Sequence, residues 1–338
     1  MTSLRTSFSE PDTITRHELA VYPAMAMLAG MQLDVFTPLK DGPLAGAELA
    51  EAIGVKPEKL APLLYALSAA QLLTVENGRF GNTAEADAYL VRGRPSYMGE
   101  GKRAFYADIW QALLKTADTI RTGRPRHKHD FHAMSEDELA KFFQGQHFYA
   151  IAAGQVLAKI YDLSPFRHML DVGAGSGGFS IGVVGSHPEM RVTAADLAQV
   201  IPVTRRFLEE AALADRVATL AVDVVTSAPA GIYDAAVMRN LIQVLSLEKA
   251  QAAVRNVAKS LAPGGALFVV GGMIDDTRQT PADKVGQNLV MLNIYDEGLN
   301  YSESEYCALL VDAGFEAIDV RKGAMPGASA LICARKPG

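Results

Sequence analysis

Apolar residues recur at helical spacing through the first part of the chain. An Ala/Met/Leu-rich run over residues 19–33 and amphipathic runs over residues 47–53 and 59–70 predict three helices. The segments on either side of Asn77-Gly78 predict a β-hairpin, because Asn-Gly favours the tight turn that joins two strands. Three helices followed by a hairpin are the elements of a winged helix.

The spacing changes after residue 166, where short apolar runs of strand length alternate with helical segments. Five of these runs predict the strands of a parallel sheet: residues 168–172, 191–195, 217–222, 233–238 and 266–270. Residues 317–320 and 329–334 predict two more strands that form a closing hairpin. The expected fold is therefore α/β with a Rossmann-like sheet of seven strands, whereas a dehydrogenase sheet has six.

We expect the chain to have three parts. Residues 1–100 form the helical or winged-helix domain, residues 101–163 add linking helices, and residues 164–338 form the α/β domain. The third helix of the first domain carries Lys59 but no arginine that could read the edge of a base. We therefore interpret this domain as a dimerisation domain rather than a DNA-binding one.

Composition and charge narrow the range of partners. Of the 338 residues, 49% are apolar and 21% are charged, and the net charge is −6. This balance gives no electrostatic attraction to nucleic acid, and it favours a small-molecule substrate. Interrupted apolar runs and an N-terminus unlike a signal peptide predict a cytoplasmic protein without membrane association. Cys307 and Cys333 lack metal-ligand spacing and are expected to be reduced thiols.

The candidate chemistry begins at a glycine-rich loop after the first predicted strand, over residues 170–178. Gly173, Gly175 and Gly178 fit a dinucleotide fingerprint. Asp171 argues against a dinucleotide, because a carboxylate at the strand end repels a pyrophosphate but attracts the ammonium group of S-adenosylmethionine. The glycines let the backbone turn sharply and pass close to that cofactor.

Further cofactor-binding candidates follow the next strands, at the edge where open α/β sheets bind ligands. Asp196 and Leu197 end the second strand, where the acid can accept from both ribose hydroxyls. Asp223 and Val224 follow the third strand, where they suit the amine and the ring of adenine, and Arg239 ends the fourth. Each acid alone could be a surface carboxylate or a helix cap. Their joint placement predicts a site for S-adenosylmethionine.

On these residues the chain resembles the dimeric class I S-adenosylmethionine-dependent methyltransferases related to plant caffeate and acetylserotonin O-methyltransferases. The resemblance covers nearly the whole chain and includes Leu33-Asp34-Val35-Phe36, residues 170–178, residues 238–250, Pro263-Gly264-Gly265 and Ala313-Gly314-Phe315. It implies a homodimer through the N-terminal domain, with each N-terminal region helping to close the partner's active site. It also implies S-adenosylmethionine as the methyl donor and a small-molecule acceptor.

One departure from the family bears on the chemistry. Family O-methyltransferases carry a histidine that takes the proton of the acceptor's hydroxyl, and the aligned residue here is Gln243, which cannot be a base. The two acids that orient that histidine align with Gly271 and Cys333. The resemblance therefore implies methyl transfer without a general base. A thioether sulfur suits such a site, because it has no proton to lose.

In the family, the helix before the glycine loop lines the acceptor pocket. The acceptor-binding candidates here are Phe143, Gln144, His147, Tyr149, Gln243 and Tyr295. Gln144 and His147 share one helical face and, with Gln243, can hydrogen bond a carboxylate or hydroxyl of the acceptor. The aromatic rings can enclose a sulfonium cation. In the alternative interpretation, phenylalanines pack this helix and His147 takes no part.

The leading hypothesis is S-methylation of a small thioether acid. Among relatives without the base, the chain is similar to the bacterial methylthiohydroxybutyrate S-methyltransferases of dimethylsulfoniopropionate synthesis, whose acceptor is 4-methylthio-2-hydroxybutyrate. The alternative is O- or C-methylation of a larger aromatic metabolite with His147 as the base. A catalytically inactive DNA-binding regulator and a pericyclase or decarboxylase on the same scaffold also stay open.

A histidine-rich segment has residue types that could bind a metal. It contains Arg126, His127, His129 and His132. No second group of ligands lies near it in the sequence, so we expect a solvated basic loop and no metal.

Overall fold

The computed structural model describes residues 11–338. The chain forms two compact units, which divide between Ala107 and Asp108. The first ten residues of the predicted N-terminal domain lie outside the described residues. None of the helices within residues 11–338 combines the length and the apolar composition that crossing a membrane requires.

The first unit contains short helices and a small antiparallel sheet. Its helices are α1 (Asp12–Leu19), α2 (Val21–Gln32), α3 (Gly46–Ala52), α4 (Pro57–Ala69), α5 (Ala84–Leu90) and the start of α6 (Gly99–Leu113). Its strands are β1 (Leu44–Ala45), β2 (Leu73–Glu76) and β3 (Arg79–Asn82), which pair in the order β1-β3-β2. The predicted hairpin is confirmed: Asn77 and Gly78 have φ angles of 50° and 76°, as its two-residue turn requires.

The second unit contains the remaining helices and the large sheet. Its further helices are α7 (Thr116–Thr122), α8 (Glu136–Ile160), α9 (Gly178–Ser186), α10 (Ile201–Glu210), α11 (Leu247–Ser260), α12 (Ala282–Ile294) and α13 (Glu303–Asp312). Its strands are β4 (His168–Val172), β5 (Arg191–Asp196), β6 (Val217–Ala221), β7 (Tyr233–Arg239), β8 (Leu261–Gly271), β9 (Met273–Ile274), β10 (Tyr301–Ser302), β11 (Glu316–Lys322) and β12 (Ala330–Arg335).

Seven of these strands form one sheet in the order β11-β12-β8-β7-β4-β5-β6. Strands β4 to β8 run parallel, and β11 and β12 are antiparallel to their neighbours. The predicted seven-stranded α/β fold is therefore confirmed. The strand order reverses at β4 and β7, and ligands of such sheets bind beyond the carboxyl ends of the strands at this reversal.

Apolar side chains cover both faces of the sheet. Along β8, Leu267 and Val269 pack into one buried cluster, whereas Phe268 and Val270 pack into another on the opposite face. Burial on both faces explains why the parallel strands are nearly continuous apolar runs in the sequence.

Helix α8 fixes the position of α9 through backbone contact. A Cβ added at Gly154 would overlap the carbonyl oxygen of Phe179, and a Cβ added at Gly182 would overlap that of Ile151. Because α9 begins directly after the glycine-rich loop, this contact holds the loop against α8.

Candidate active site

The glycine-rich loop leaves β4 in a backbone conformation that favours glycine. Gly173, Gly175 and Gly177 have φ angles of 71°, 55° and 68°, which residues with a side chain rarely adopt. Gly177 is the N-cap of α9, and the dinucleotide pattern missed it. Gly178, which the pattern includes, has a different role: a Cβ there would lie 3.0 Å from the carbonyl oxygen of His147 on α8.

Asp171 lies within β4, one residue from its end, and is 1% exposed. Its carboxylate accepts a hydrogen bond from Ser180 Oγ at 2.7 Å. Burial raises the pKa of Asp171 to about 6, although the Ser180 hydrogen bond and the charge of Arg239 act against this rise. Burial also lowers the pKa of Arg239, at the end of β7, to about 10. Within the described part of the chain, Arg239 Nε is buried without a hydrogen-bond partner.

Asp196 connects the end of β5 to the glycine-rich loop. One carboxylate oxygen accepts from the Gly175 N–H at 2.8 Å and the other from the Leu197 N–H at 2.7 Å. Burial raises the pKa of Asp196 to about 6, and these hydrogen bonds offset part of the rise. A carboxylate has about four acceptor sites, so Asp196 can accept from further donors.

Asp223 and Val224 follow β6, the next strand in the sheet. The Asp223 carboxylate accepts from the Val225 N–H at 2.9 Å, which turns the chain after the strand. Val224 is 7% exposed and packs into the core. The predicted acids thus lie at or just beyond the carboxyl ends of three adjacent strands.

These groups fit the predicted S-adenosylmethionine. Its methionine part carries an ammonium and a carboxylate, and the site offers the buried charges of Asp171 and Arg239, the latter with an unused donor. The glycine-rich loop has no side chains to obstruct a nucleoside, and Asp196 has acceptor capacity for its ribose. When bound, this molecule supplies an electrophilic methyl group on a sulfonium.

Gln243 lies in a 3-10 turn (Ile242–Val244) and is 4% exposed. Its Oε1 accepts from the Gly272 N–H at 2.6 Å. A Cβ at Gly271 would lie 2.6 Å from this oxygen, so the space that Gln243 uses requires glycine at that position. The structure therefore brings Gln243 and Gly271 together. Cys333 is not part of this group, because it pairs with Phe268 and packs in the cluster on the opposite face from Ile242.

Aromatic rings meet beside the glycine-rich loop. A Cβ added at Gly175 would lie 2.8 Å from the Phe143 ring, so this ring packs directly on the loop. Phe131 lies parallel to Phe143, with ring centroids 6.1 Å apart, and its ring centroid is 6.2 Å from that of Tyr295. Sequence reasoning missed Phe131, because a single phenylalanine in an irregular segment has no periodic signal.

A cavity of about 230 Å³ opens beside these rings. Its apolar and aromatic lining residues are Phe131, Leu197, Val244, Leu245 and Tyr295. The polar and charged ones are Lys128, His129, Asp130, His132, Lys249, Asp296 and Glu297. Burial raises the pKa of Tyr295. Leu197 belongs to the predicted cofactor site and Val244 follows Gln243, so the cavity adjoins both.

The other acceptor-binding candidates have different neighbours. His147 Nδ1 shares a hydrogen bond with Ser176 Oγ at 2.8 Å, its ring centroid is 4.6 Å from that of Phe207 on α10, and burial lowers its pKa. Gln144 is exposed. Tyr149 packs against Gly327 in the loop between β11 and β12.

The histidine segment is not the solvated loop that we expected. The Asp108 carboxylate lies between His127 and His129, at 2.5 and 2.7 Å from their Nε2 atoms. The backbone N–H groups of the two histidines donate to the carbonyls of Asn293 and Ile294 at 3.1 and 2.9 Å. The His129 side chain is only 9% exposed. Sequence reasoning missed Asp108, because it lies on α6 and its distance along the chain matches no ligand motif.

Two family models match the chain. One, described as the O-methyltransferase domain, matches residues 115–316, which is more than half of the chain. The other, described as the O-methyltransferase dimerisation domain, matches residues 16–92.

Individual relatives agree with these matches. The tetracenomycin polyketide synthesis 8-O-methyl transferase of Streptomyces glaucescens is 30% identical, over 97% of each chain. The 3-hydroxy-5-methyl-1-naphthoate 3-O-methyltransferase of Streptomyces sahachiroi is 26% identical, over 96% of this chain and 95% of the relative. The structure of human N-acetylserotonin methyltransferase with S-adenosylmethionine matches with a TM-score of 0.86 at 21% identity, over 98% and 99% of the two chains.

The predicted resemblance to acetylserotonin O-methyltransferases and the predicted cofactor are confirmed. The resemblance to S-methyltransferases of dimethylsulfoniopropionate synthesis is not supported, since the three relatives above are named for other acceptors. Because two family models and a 30% identical relative match it, and because its site lies at the strand ends, the chain belongs to the S-adenosylmethionine-dependent O-methyltransferase family.

Proposed function

We propose that this protein transfers a methyl group from S-adenosylmethionine to a hydroxyl oxygen of an aromatic, polyketide-type small molecule. The observation that carries this proposal is the 30% identity, over 97% of both chains, to the tetracenomycin 8-O-methyl transferase. The rings of Phe131, Phe143 and Tyr295 support it, because a flat aromatic acceptor packs well on aromatic side chains.

The proposed cofactor site comprises Asp171, Gly173, Gly175, Asp196, Leu197, Asp223, Val224 and Arg239. Asp171 would hold the ammonium group, and Asp196 would hold the ribose. Holding two reactants in the reactive geometry can equal an effective concentration of about 10⁵–10⁸ M. Positioning by these residues is therefore the main contribution of the site to the rate.

Gln243 is proposed to orient the acceptor. Its Oε1 is already occupied by the Gly272 N–H, which leaves the Nε2 group to donate to an acceptor oxygen. An amide cannot remove a proton at neutral pH, so the proton of the hydroxyl must go elsewhere.

His147 is the base in the alternative that the sequence left open. We infer that it instead supports the glycine-rich loop, because its Nδ1 is hydrogen bonded to Ser176 and its ring packs on Phe207. Gln144 and Tyr149 are kept as candidates for the outer part of the acceptor site.

S-methylation of a thioether acid such as 4-methylthio-2-hydroxybutyrate is the second candidate function. It is favoured by one observation, the buried Gln243 at the position of the family's base. A thioether would need no proton acceptor there, so its rate would change little with pH.

We further infer that the protein is a cytoplasmic homodimer without nucleic-acid or membrane partners. The match of residues 16–92 to the dimerisation domain supports the dimer. The winged helix and the three-part division of the chain at residues 100 and 163 stay predictions.

The proposed function is tested by offering two kinds of acceptor with S-adenosylmethionine. We expect mass spectrometry to show a methyl ether from at least one polycyclic phenol, such as a hydroxynaphthoate or a hydroxyanthraquinone. We expect no sulfonium product from 4-methylthio-2-hydroxybutyrate. The opposite pattern would establish the second candidate function.

The His147→Ala variant should retain turnover at saturating cofactor. If this variant binds the cofactor normally but loses all turnover, His147 is the base.

The affinity for S-adenosylmethionine should fall in acid. Burial raises the pKa values of Asp171 and Asp196 to about 6. A protonated Asp171 does not attract the ammonium group, and a protonated Asp196 is a weaker acceptor for the ribose hydroxyls. Each group that must ionise weakens binding by about tenfold per pH unit below its pKa. We therefore expect the Kd to be at least about 10-fold higher at pH 5 than at pH 7.5, because Asp171 must ionise to hold the ammonium group. Calorimetry at the two pH values measures this, and a constant Kd would contradict it.

A further inference from the structure

A chain of hydrogen bonds in the second unit fixes the tautomers of two histidines. The Asp108 carboxylate contacts Nε2 of both His127 and His129, and Lys115 Nζ lies 3.3 Å from Nδ1 of His127. An ionised carboxylate can only accept and an ammonium can only donate. Both histidines therefore carry their proton on Nε2, and Nδ1 of His127 accepts from Lys115.

Because the proton of His129 lies on Nε2, its Nδ1 is a bare acceptor. This atom is buried and has no hydrogen-bond partner among residues 11–338. Leaving a buried acceptor unpaired is costly, so a hydroxyl donor from a ligand would satisfy it. His129 also lines the cavity that Leu197, Val244 and Tyr295 border.

We propose that His129 is the general base of this enzyme and that Asp108 is the positioning residue that holds it in the required tautomer. The proposal rests on the proposed function, because only a hydroxyl acceptor needs a base. Gln243 cannot act as a base, and His129 would supply that function from a nearby position. Val244, in the same turn as Gln243, lines the same cavity as His129. A base oriented by a hydrogen-bonded third group is a recurrent catalytic arrangement, and here the half-buried Asp108 carboxylate is that group.

The proposed step conserves atoms and charge. The proton of the acceptor's hydroxyl moves to Nδ1 of His129 while the oxygen bonds to the methyl carbon. The carbon–sulfur bond breaks, and its electron pair stays on the sulfur. The products are the methyl ether, S-adenosylhomocysteine and a protonated His129, which Asp108 stabilises until the proton leaves to solvent.

The charge state of His129 suits this role. Burial lowers its pKa, and the charge and hydrogen bond of Asp108 oppose this without reversing it. The imidazole is therefore neutral at pH 7. The ionisable groups around it are Asp108, His127, Lys128, Asp130, His132, Lys249, Tyr295, Asp296 and Glu297. Four of these groups form two ion pairs in which the charges cancel: Lys128 with Asp296 at 2.5 Å and Lys249 with Glu297 at 2.7 Å.

The sharpest test is His129→Gln, whose amide can still donate to Asp108 but cannot accept a proton. With a phenol that the wild type methylates, we expect kcat at pH 7 to fall about 100-fold or more. The Kd for S-adenosylmethionine and the Tm should stay close to wild type. The kcat of the wild type should fall in acid as His129 becomes protonated. The variant should instead gain rate up to about pH 10, where a phenol ionises by itself.

Two further variants separate the base from its support. Asp108→Asn should lower kcat and move the acid limb of the pH profile to lower pH, because a neutral amide stabilises the imidazolium less than a carboxylate does. His187→Gln, which removes an imidazole at the far end of α9, should leave kcat and the profile unchanged.

The outcomes separate the failure of the proposed function from the failure of the proposed base. If the wild type methylates no hydroxyl acceptor, the proposed function fails and the base fails with it. If it does methylate one and His129→Gln keeps the wild-type kcat and pH profile, the function stands and His129 is not the base. A loss of Tm or of cofactor affinity that accounts for the whole fall in kcat would also overturn the proposal, because it would show a structural role.

Discussion

Asp171→Asn is expected to weaken S-adenosylmethionine binding by at least about 100-fold without unfolding the protein. The ammonium group would enter a buried site without its counter-charge, and removing one partner of a buried ion pair costs about 3–5 kcal/mol. Each 1.4 kcal/mol corresponds to about a tenfold change in Kd. Arg239 would also lose the opposite charge that favours its protonated form.

The same substitution should leave stability equal or higher. The pKa of Asp171 is raised from 3.8 to about 6 in the folded protein. A carboxyl with a raised folded pKa lowers stability as the pH rises through this range, because the unfolded state ionises first. At neutral pH an amide of the same shape avoids that cost. Calorimetry and thermal melting of the same sample therefore separate binding from folding.

Asp234→Asn is a matched control, because Asp234 lies at the amino end of β7, on the opposite side of the sheet from the strand ends that form the site. Asp234 accepts from the N–H groups of Arg167 and His168 at 2.8 and 3.0 Å, near the start of β4. Its substitution should lower the Tm but leave the Kd unchanged. A wild-type Kd for Asp171→Asn would contradict the role of Asp171, and equal losses of affinity in both variants would show an indirect effect.

The cofactor side of the site could be predicted because it depends on local features. Each of the five parallel strands contains a short run of mostly apolar residues, and each predicted acid or arginine lies at or just after the carboxyl end of such a strand. Parallel strands bring these ends together whatever the rest of the chain does. Even so, Gly177 was missed, since its need for a positive φ of 68° depends on how α9 begins and not on the dinucleotide spacing.

The acceptor side could not be predicted in the same way. Gln243 and Gly271 were found only through the family resemblance, and their mutual fit appears only in the packed structure. Cys333 aligned with the family's second acid yet lies on the other face of the sheet. Asp108 and His129 meet because a long irregular segment folds back onto α6 and α12, and no periodicity reports such a contact.

Gly182→Ala is expected to destabilise the protein severely. A Cβ at this position would overlap the carbonyl oxygen of Ile151 and lie 3.1 Å from the backbone nitrogen of Gln155. Backbone atoms cannot rotate away as a side chain can, so α8 and α9 must separate. Overpacking costs about 1–3 kcal/mol and sometimes more, and we expect about 3 kcal/mol here. For a unit of this size, the Tm should fall by roughly 6–12 °C.

Gly185→Ala on the same helix is the matched control, because a Cβ there meets no atom within 4 Å. It should stabilise α9 by up to about 1 kcal/mol, since alanine is the better helix former. The double variant Gly154→Ala and Gly182→Ala should cost less than the sum of the single variants, because one separation of the helices relieves both overlaps. If Gly182→Ala melts like Gly185→Ala, the helices are not in backbone contact. If it melts early and also binds S-adenosylmethionine weakly, the contact that positions α9 also positions the glycine-rich loop.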